Sequence, residues 1–374
     1  MFTKRALLAA ALLACTAAAQ AQQKDPNAIL KNYAAKMLPR CPGGTLTIEP
    51  MAAGPRNFSA FTVTQRSTDQ YCGSQKYLLY SPTTQQILLG SVIPLPNDGR
   101  PVNVRIAAES SRLLNQPLTA NVAPFPLPDG IHAVNIVRQT PFGSFAYKGF
   151  VDASQQFLII ASRGSLKTDP ATSIREALGV TNAMRRGNSK SNVEILELSD
   201  FQCPTCARAH QNIEPIIKKN LSKINYARLD LPLFEHHDWS VPAAMGARAL
   251  QRVAPKVYWD YVDFIFSNQD KITSANVEKM IKDFCEDHDV DWNAMNKIYG
   301  SKAERQALLE QVSSAFGIGV ASTPTYIVNG QIMGFGPEGG FTLEAIQTAI
   351  AGAKASSAPA KSTPAKKKAT SKSK

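Results

Sequence analysis

Apolar positions change their spacing several times along this chain, and each change marks a different kind of segment. Lys4 and Arg5 precede an apolar run from Ala6 to Ala19, which ends in Ala19-Gln20-Ala21. A basic start, a short greasy centre and a small-x-small exit describe an export signal, here residues 1–21, with the mature chain starting near Gln22. The run falls short of the roughly 18 apolar residues that a spanning helix needs. Leu12-Leu13-Ala14-Cys15 gives a second expectation, a lipoprotein signal with lipid on Cys15, although Leu13 fits that pattern poorly. Across residues 27–38, Ile29, Leu30, Tyr33, Ala34 and Met37 recur at helical spacing. From Leu46 to Ile93 the pattern shifts to short β-rich runs such as 59–64 and 76–80, separated by turn residues that include Pro82 and Gly90. Residues 22–180 therefore read as a small α+β domain.

An internal echo runs through that region at an offset of 70. Gly73-Ser74, Tyr77, Gln85-Gln86 and Leu88 recur as Gly143-Ser144, Tyr147, Gln155-Gln156 and Leu158. Two related β-hairpin units would produce it, and so would shared strand composition. Residues 181–192 are polar, contain Gly187 and read as a linker. Residues 193–350 then alternate between strand and helix patterns. Strands are expected at 193–199, 224–231 and 325–328, with helices at 204–220 and 342–350. A long helix-rich stretch, about 240–316, lies between them, and Asn329-Gly330 marks a tight turn. Residues 351–374 are almost entirely Ala, Ser, Thr, Pro and Lys, a composition that cannot build a core.

Composition changes this picture only at the ends. The 374 residues are 44% hydrophobic and 19% charged, ordinary globular usage for a two-domain chain. Of the net charge of +12, nine units belong to Lys4, Arg5 and seven lysines after position 350, which leaves +3 for the folded part. The body thus loses its main reason to bind nucleic acid.

The cysteines carry the chemistry. Cys203-Pro204-Thr205-Cys206 follows a strand pattern and opens a helical one whose buried stripe is Ile213, Ile216, Ile217 and Leu221. Pro204 suits a first helical turn, where a missing N–H costs little. Cys203 then sits at the helix N-terminus, where free amides and the helix dipole favour a negative sulfur and lower a thiol's pKa by roughly 1–5 units. A thiolate attacks disulfides; a thiol does not. Cys206, one turn further in, would close the ring or resolve a mixed disulfide. Two other readings stay open: half of a zinc site completed by Cys285 and His288, and a purely structural disulfide. Haem attachment is excluded, because Ala207 rather than His follows the pair. Cys41 and Cys72 remain in the N-terminal region, and in an exported protein they are candidates for a structural disulfide. His236-His237, flanked by Glu235 and Asp238, read as a solvated loop rather than a metal cluster. No metal or other cofactor is called for.

Residues 191–208 (SNVEILELSDFQCPTCAR) resemble the active-site entrance of the DsbA-like branch of thioredoxin-fold thiol–disulfide oxidoreductases. The similarity continues through Tyr258-Trp259-Asp260-Tyr261 to Phe266 and ends in residues 319–325 (GVASTPT) and Val328-Asn329-Gly330. The resemblance implies an α/β architecture: a C-terminal thioredoxin fold with a helical insertion, behind the extra α+β domain. It implies that Pro324 is cis and packs on the dithiol, and that Thr323 contacts the substrate backbone. It further implies that Glu197 is a buried acid moving protons to or from Cys206, with Phe201, Pro204 and Thr205 shaping the active-site loop. Thr205 stands where the strongly oxidising members carry His, which points to a weaker oxidant.

The expected activity is disulfide exchange on cysteine-containing proteins in the periplasm, with oxidation favoured and a membrane partner taking the electrons. A dimeric isomerase or reductase is the alternative, since an extra N-terminal domain resembles the arrangement in DsbC. A thioredoxin-like module that binds clients without catalysis is the rival from another class.

Overall fold

The computed structural model describes residues 26–70, 72–334 and 339–353. The expected export signal, Cys15 and nearly all of the lysine-rich tail lie outside the described residues.

The N-terminal half is one antiparallel sheet of eight strands in the order β1-β2-β3-β4-β8-β7-β6-β5. Helix α1 (Pro26–Met37) precedes β1 (Thr45–Pro50), β2 (Ser59–Arg66), β3 (Ser74–Tyr80) and β4 (Gln86–Pro94). Helix α2 (Val102–Leu114) then precedes β5 (Thr119–Val122), β6 (His132–Thr140), β7 (Gly143–Val151) and β8 (Phe157–Ser165). The same helix-plus-four-strands unit occurs twice, and the two copies meet edge to edge at β4 and β8. The offset of 70 has a local counterpart. Gln85 and Gln155 close the β3–β4 and β7–β8 turns, both in the left-handed region at φ 60° and 56°. At the join, Gly90 pairs with Ala161, and a Cβ on Gly90 would stand 2.2 Å from the Ile160 carbonyl oxygen. Two strands approach too closely there for any side chain.

Helix α3 (Pro170–Leu178) leads to the second sheet, ordered β13-β12-β10-β11-β9. Its centre is β10 (Glu194–Ser199), parallel to β11 (Asn225–Asp230) and antiparallel to β12 (Thr325–Val328). β10 is covered on both faces, so its sequence reads as a nearly continuous apolar run. Helix α4 (Pro204–Lys219) links β10 to β11, and β13 (Gln331–Ile332) leads towards the last helix, α10 (Gly340–Ala351). Between β11 and β12 come α5 (Ser240–Val253), α6 (Tyr258–Ser267), α7 (Val277–Asp287), α8 (Trp292–Tyr299) and α9 (Lys302–Gly317). The first four build a separate apolar cluster around Phe201, Tyr261, Phe266 and Phe284.

Two expectations need correcting. The stretch 181–192 is not a free linker: Met184–Gly187 forms β9, which pairs antiparallel with β11. Polar residues suit this edge strand, and Arg186 places its guanidinium 3.9 Å from the Trp259 ring centroid while bonding Glu214. Nor do the two halves keep separate cores. One cluster joins Leu30, Val63, Leu89 and Phe145 to Leu196, Leu229, Val312 and Ile327. Helix α9 lies on β7, where Gln306 Nε2 donates to the Ser144 carbonyl at 3.0 Å. The first sheet thus covers the face of the second that α4 and α10 leave open.

Candidate active site

β10 ends at Ser199, and Asp200, Phe201 and Gln202 turn the chain into α4. Cys203 occupies the N-cap at φ −71° and ψ 120°, with Pro204 as the first helical residue. The Cys203 carbonyl accepts from the Cys206 and Ala207 amides at 3.0 and 3.2 Å. Cys203 is 7% exposed and Cys206 fully buried. Both are free thiols, and Thr205 is half-buried between them.

The two sulfurs are held in opposite protonation states. Cys203 is pulled down to about 5, first by the hydrogen bond from the Cys206 thiol, then by Thr323 and the amides of Cys206 and Thr205, against the opposing effect of burial. Cys206 is pushed up, first by burial and then by its bond to Cys203. One sulfur is therefore a nucleophile at neutral pH and the other a proton store.

From the far side of the helix end comes the loop before β12. The Thr323–Pro324 peptide bond is cis, and Cys203 Sγ lies 3.5 Å from the Thr323 carbonyl oxygen. Beyond Pro324 opens a cleft of about 610 Å³ between this loop and the centre of the eight-stranded sheet, reaching Gly90, Ala161 and the Cys72 side of a disulfide. Cys41 and Cys72, the expected pair, are joined there with Cα atoms 5.8 Å apart. The bridge packs on Gly334, where a Cβ would stand 2.4 Å from Cys72 Sγ. It anchors the segment through which the Arg40 amide donates to the Ile332 carbonyl at 2.7 Å.

Beneath the dithiol, strand alternation puts Glu197, Arg228 and Tyr326 on the sheet face that α4 covers. Glu197 is 2% exposed; its Oε2 accepts from Tyr226 Oη, and its Oε1 has no partner among the described residues. Arg228, also buried, bonds Asp230 and Tyr258 Oη and lies 4.1 Å from the Phe201 ring centroid. Phe201 is a core side chain, packed edge-on against Tyr261 in the same buried cluster as Cys203 and Cys206. Its backbone serves the site: Gln269 Nε2 donates to the Phe201 and Cys203 carbonyls at 2.7 and 3.1 Å.

Several of these residues escaped the sequence reading. Arg228 had a signal, a basic residue between apolar positions of a strand. Gln269 had none. The fold splits the charged run 235–238: His237 Nδ1 sits 2.7 Å from Asp200 Oδ2, whereas Glu235 turns away to Arg138 and Tyr147 on the first sheet. Glu235, His236 and Asp238 are exposed, and of the four only His237 is partly buried, against Asp200. Cys285 lies in the core of α7, where burial raises its pKa to about 11, and His288 stacks on Phe284. Among the described residues no three His, Cys, Asp or Glu side chains gather as metal ligands.

Residues 180–351 match the family model described as "Thioredoxin". A Na(+)/H(+) antiporter NhaA 3 of Salinispora tropica is 26% identical over 174 residues, which is 46% of this chain. The matched stretch spans 24% of that protein's length. Among solved structures, the thiol-disulfide exchange protein alpha-DsbA2 from Wolbachia pipientis is similar at 18% identity and TM-score 0.41, over 49% of this chain and 92% of that one. The catalytic domain of Proteus mirabilis ScsC aligns at 16% identity and TM-score 0.40, over 49% and 97%. No helix among the described residues is long and apolar enough to cross a membrane. The strand order around β10, with helices inserted before β12, agrees with the family match: residues 180–351 form a thioredoxin-like domain, joined to a sheet-rich N-terminal region that the match does not reach.

Proposed function

We propose that this chain is an exported thiol–disulfide oxidoreductase that oxidises cysteine pairs in envelope proteins. The observation that carries the reading is the division of labour between Cys203, drawn down to about 5, and Cys206, kept protonated by burial. In the oxidised protein, a client thiolate attacks Cys203 Sγ. The Cys203–Cys206 bond breaks, a mixed disulfide forms, and the Cys206 sulfur leaves and takes up a proton. A second client thiolate then attacks the client sulfur of that mixed disulfide and expels Cys203 as a thiolate. A stabilised thiolate is a good leaving group and holds the reduced form down in energy, which drives oxidation of the client. Glu197, buried and half unpartnered, is suited to pass the proton to Cys206.

Thr323 and Pro324 face the sulfur that bonds the client, so the client chain would run along this loop and into the adjoining cleft. The pattern of residues 1–21 and the Cys41–Cys72 bridge support an oxidising compartment such as the periplasm. Reoxidation would fall to a membrane partner, and lipid on Cys15 is a second way of holding the protein at the membrane.

Rapid acid quenching of cells followed by thiol alkylation and mass analysis tests the direction. Cys203 and Cys206 are expected to be found oxidised; a reduced resting pair would favour the isomerase or reductase reading. A Cys203→Ser variant that folds, still binds clients and loses no activity would turn the protein into a non-catalytic binding module.

A further inference from the structure

Pro204 and Thr205, the two residues between the cysteines, carry no charge, yet the N-terminal end of α4 is not without a titratable neighbour. The loop from β11 to α5 is clamped onto the turn that leads into the dithiol. Gln202 Nε2 donates to Asp238 Oδ1 at 2.9 Å, and the Trp239 amide donates to Gln202 Oε1 at 2.7 Å. Asp200 organises the clamp from a side chain with no exposure. It accepts from the Gln202 amide at 2.8 Å through Oδ1, and from the Leu233 amide and His237 Nδ1 through Oδ2, each at 2.7 Å. The same residue's backbone N–H lies 3.5 Å from Cys206 Sγ, and its carbonyl accepts from the Cys203 amide at 3.2 Å. His237 is thereby fixed against the segment that carries both sulfurs, with 18% of its side chain exposed.

A buried carboxylate beside a thiolate is unfavourable, and a cation between them and solvent resolves the conflict. We propose that His237, anchored by Asp200, supplies the positive charge that steadies the Cys203 thiolate, and so links the reducing and oxidising strength of the dithiol to pH. This rests on the exchange reading of Cys203. His237 is a positioning and charge-bearing residue in this scheme, with no part in bond making.

The groups around it agree in sign. The Asp200 bond raises the His237 pKa above its ordinary value, and the charges of Asp200, Cys203 and Asp238 add to that, against burial. Asp230 stands behind Asp200 but is paired with Arg228. The other cation near the helix start, Arg208, is exposed and donates to Thr205 Oγ1 at 3.0 Å. Because the pKa is raised, the imidazolium is present below the raised value and is lost as pH climbs through it.

The coupling is reciprocal. Reduction of the Cys203–Cys206 disulfide takes two electrons and one proton, giving the Cys203 thiolate and the Cys206 thiol. Where His237 is neutral beside the disulfide but protonated beside the thiolate, a second proton is taken up. Glutathione, as two thiols giving up two electrons and becoming one disulfide, supplies the electrons in the test.

The experiment uses the full chain and three measurements: the 240 nm titration of Cys203, the pH dependence of its equilibrium with glutathione, and the NMR titration of His237 in both redox states. His237→Gln should weaken Cys203 ionisation, read as a shift of its 240 nm titration to higher pH. It should also remove the extra proton from the pH dependence, while His237 in the native protein should titrate higher reduced than oxidised. Arg208→Gln should change Cys203 far less. If His237→Gln is folded and Cys203 ionises unchanged, His237 is only a clamp and the proposal falls, although exchange by Cys203 would stand. If that variant is too unstable, equal His237 titration in the two redox states of the native protein overturns the proposal by itself. Absence of any exchange with glutathione in the native protein would instead remove the exchange reading.

Discussion

The two cysteine pairs of this protein show how position decides what a disulfide is for. Cys41 and Cys72 are 31 residues apart, tie two loops of the first sheet together and pack on Gly334. Cys203 and Cys206 are three residues apart at a helix start, so the ring they can close constrains little of the unfolded chain. What the second pair has instead is asymmetry: one sulfur among hydrogen-bond donors, the other sealed in the core. The first pair holds a wall of the cleft; the second lies behind the Thr323–Pro324 loop that borders it.

The sharpest way to break this contrast is to exchange the roles. Cys203→Ser should abolish disulfide exchange, read as turnover of a small disulfide or dithiol substrate, while far-UV circular dichroism stays native. A second test follows pH. Alkylation of the reduced protein at Cys203 should stay fast down to about 5 and fall roughly tenfold per pH unit below it. The lowered pKa of Cys203 also contributes stability to the reduced form. That contribution is fully present above the ordinary thiol value and disappears as pH falls through about 5, so acid should narrow the difference in melting temperature between the two redox forms.

Below these come effects on stability. Arg228→Met leaves Asp230 buried without its cation and should cost about 3–5 kcal/mol in denaturant unfolding. Replacing both Cys41 and Cys72 by Ser should cost about 3–4 kcal/mol and leave the Cys203 titration where it was. A shift in that titration would mean that the two pairs are not independent. Gly90→Ala forces a Cβ towards the Ile160 carbonyl oxygen and should cost about 1–3 kcal/mol.

Much of the thioredoxin-like part was legible because its signals are local. A proline after Cys203, an apolar stripe beyond it and a continuous apolar strand before it each follow from short-range backbone rules, and β10, α4 and β11 lie within a residue or two of the expected limits. The linker reading failed for a reason of the same kind: a polar edge strand such as β9 has no apolar alternation to reveal it. Helix α2 also went unread, with Leu113 and Leu114 left exposed and only Ile106 among its apolar residues fully buried. The echo between residues 73–88 and 143–158 falls on β3–β4 and β7–β8. The repeated order of helix and four strands belongs to the topology, which tolerates nearly complete loss of sequence likeness.

By itself the sequence determined where the CPTC pair lies, which cysteine starts a helix and which proline follows Thr323. These depend on neighbours along the chain, whose geometry the peptide backbone imposes. Tertiary structure alone decided that Arg228 lies under Phe201, that His237 closes on Asp200, and that the first sheet covers the open face of the second. Such contacts join residues tens to hundreds of positions apart. They exist because buried charge must find a partner and apolar faces must be covered, and no spacing within one segment records which partner is found.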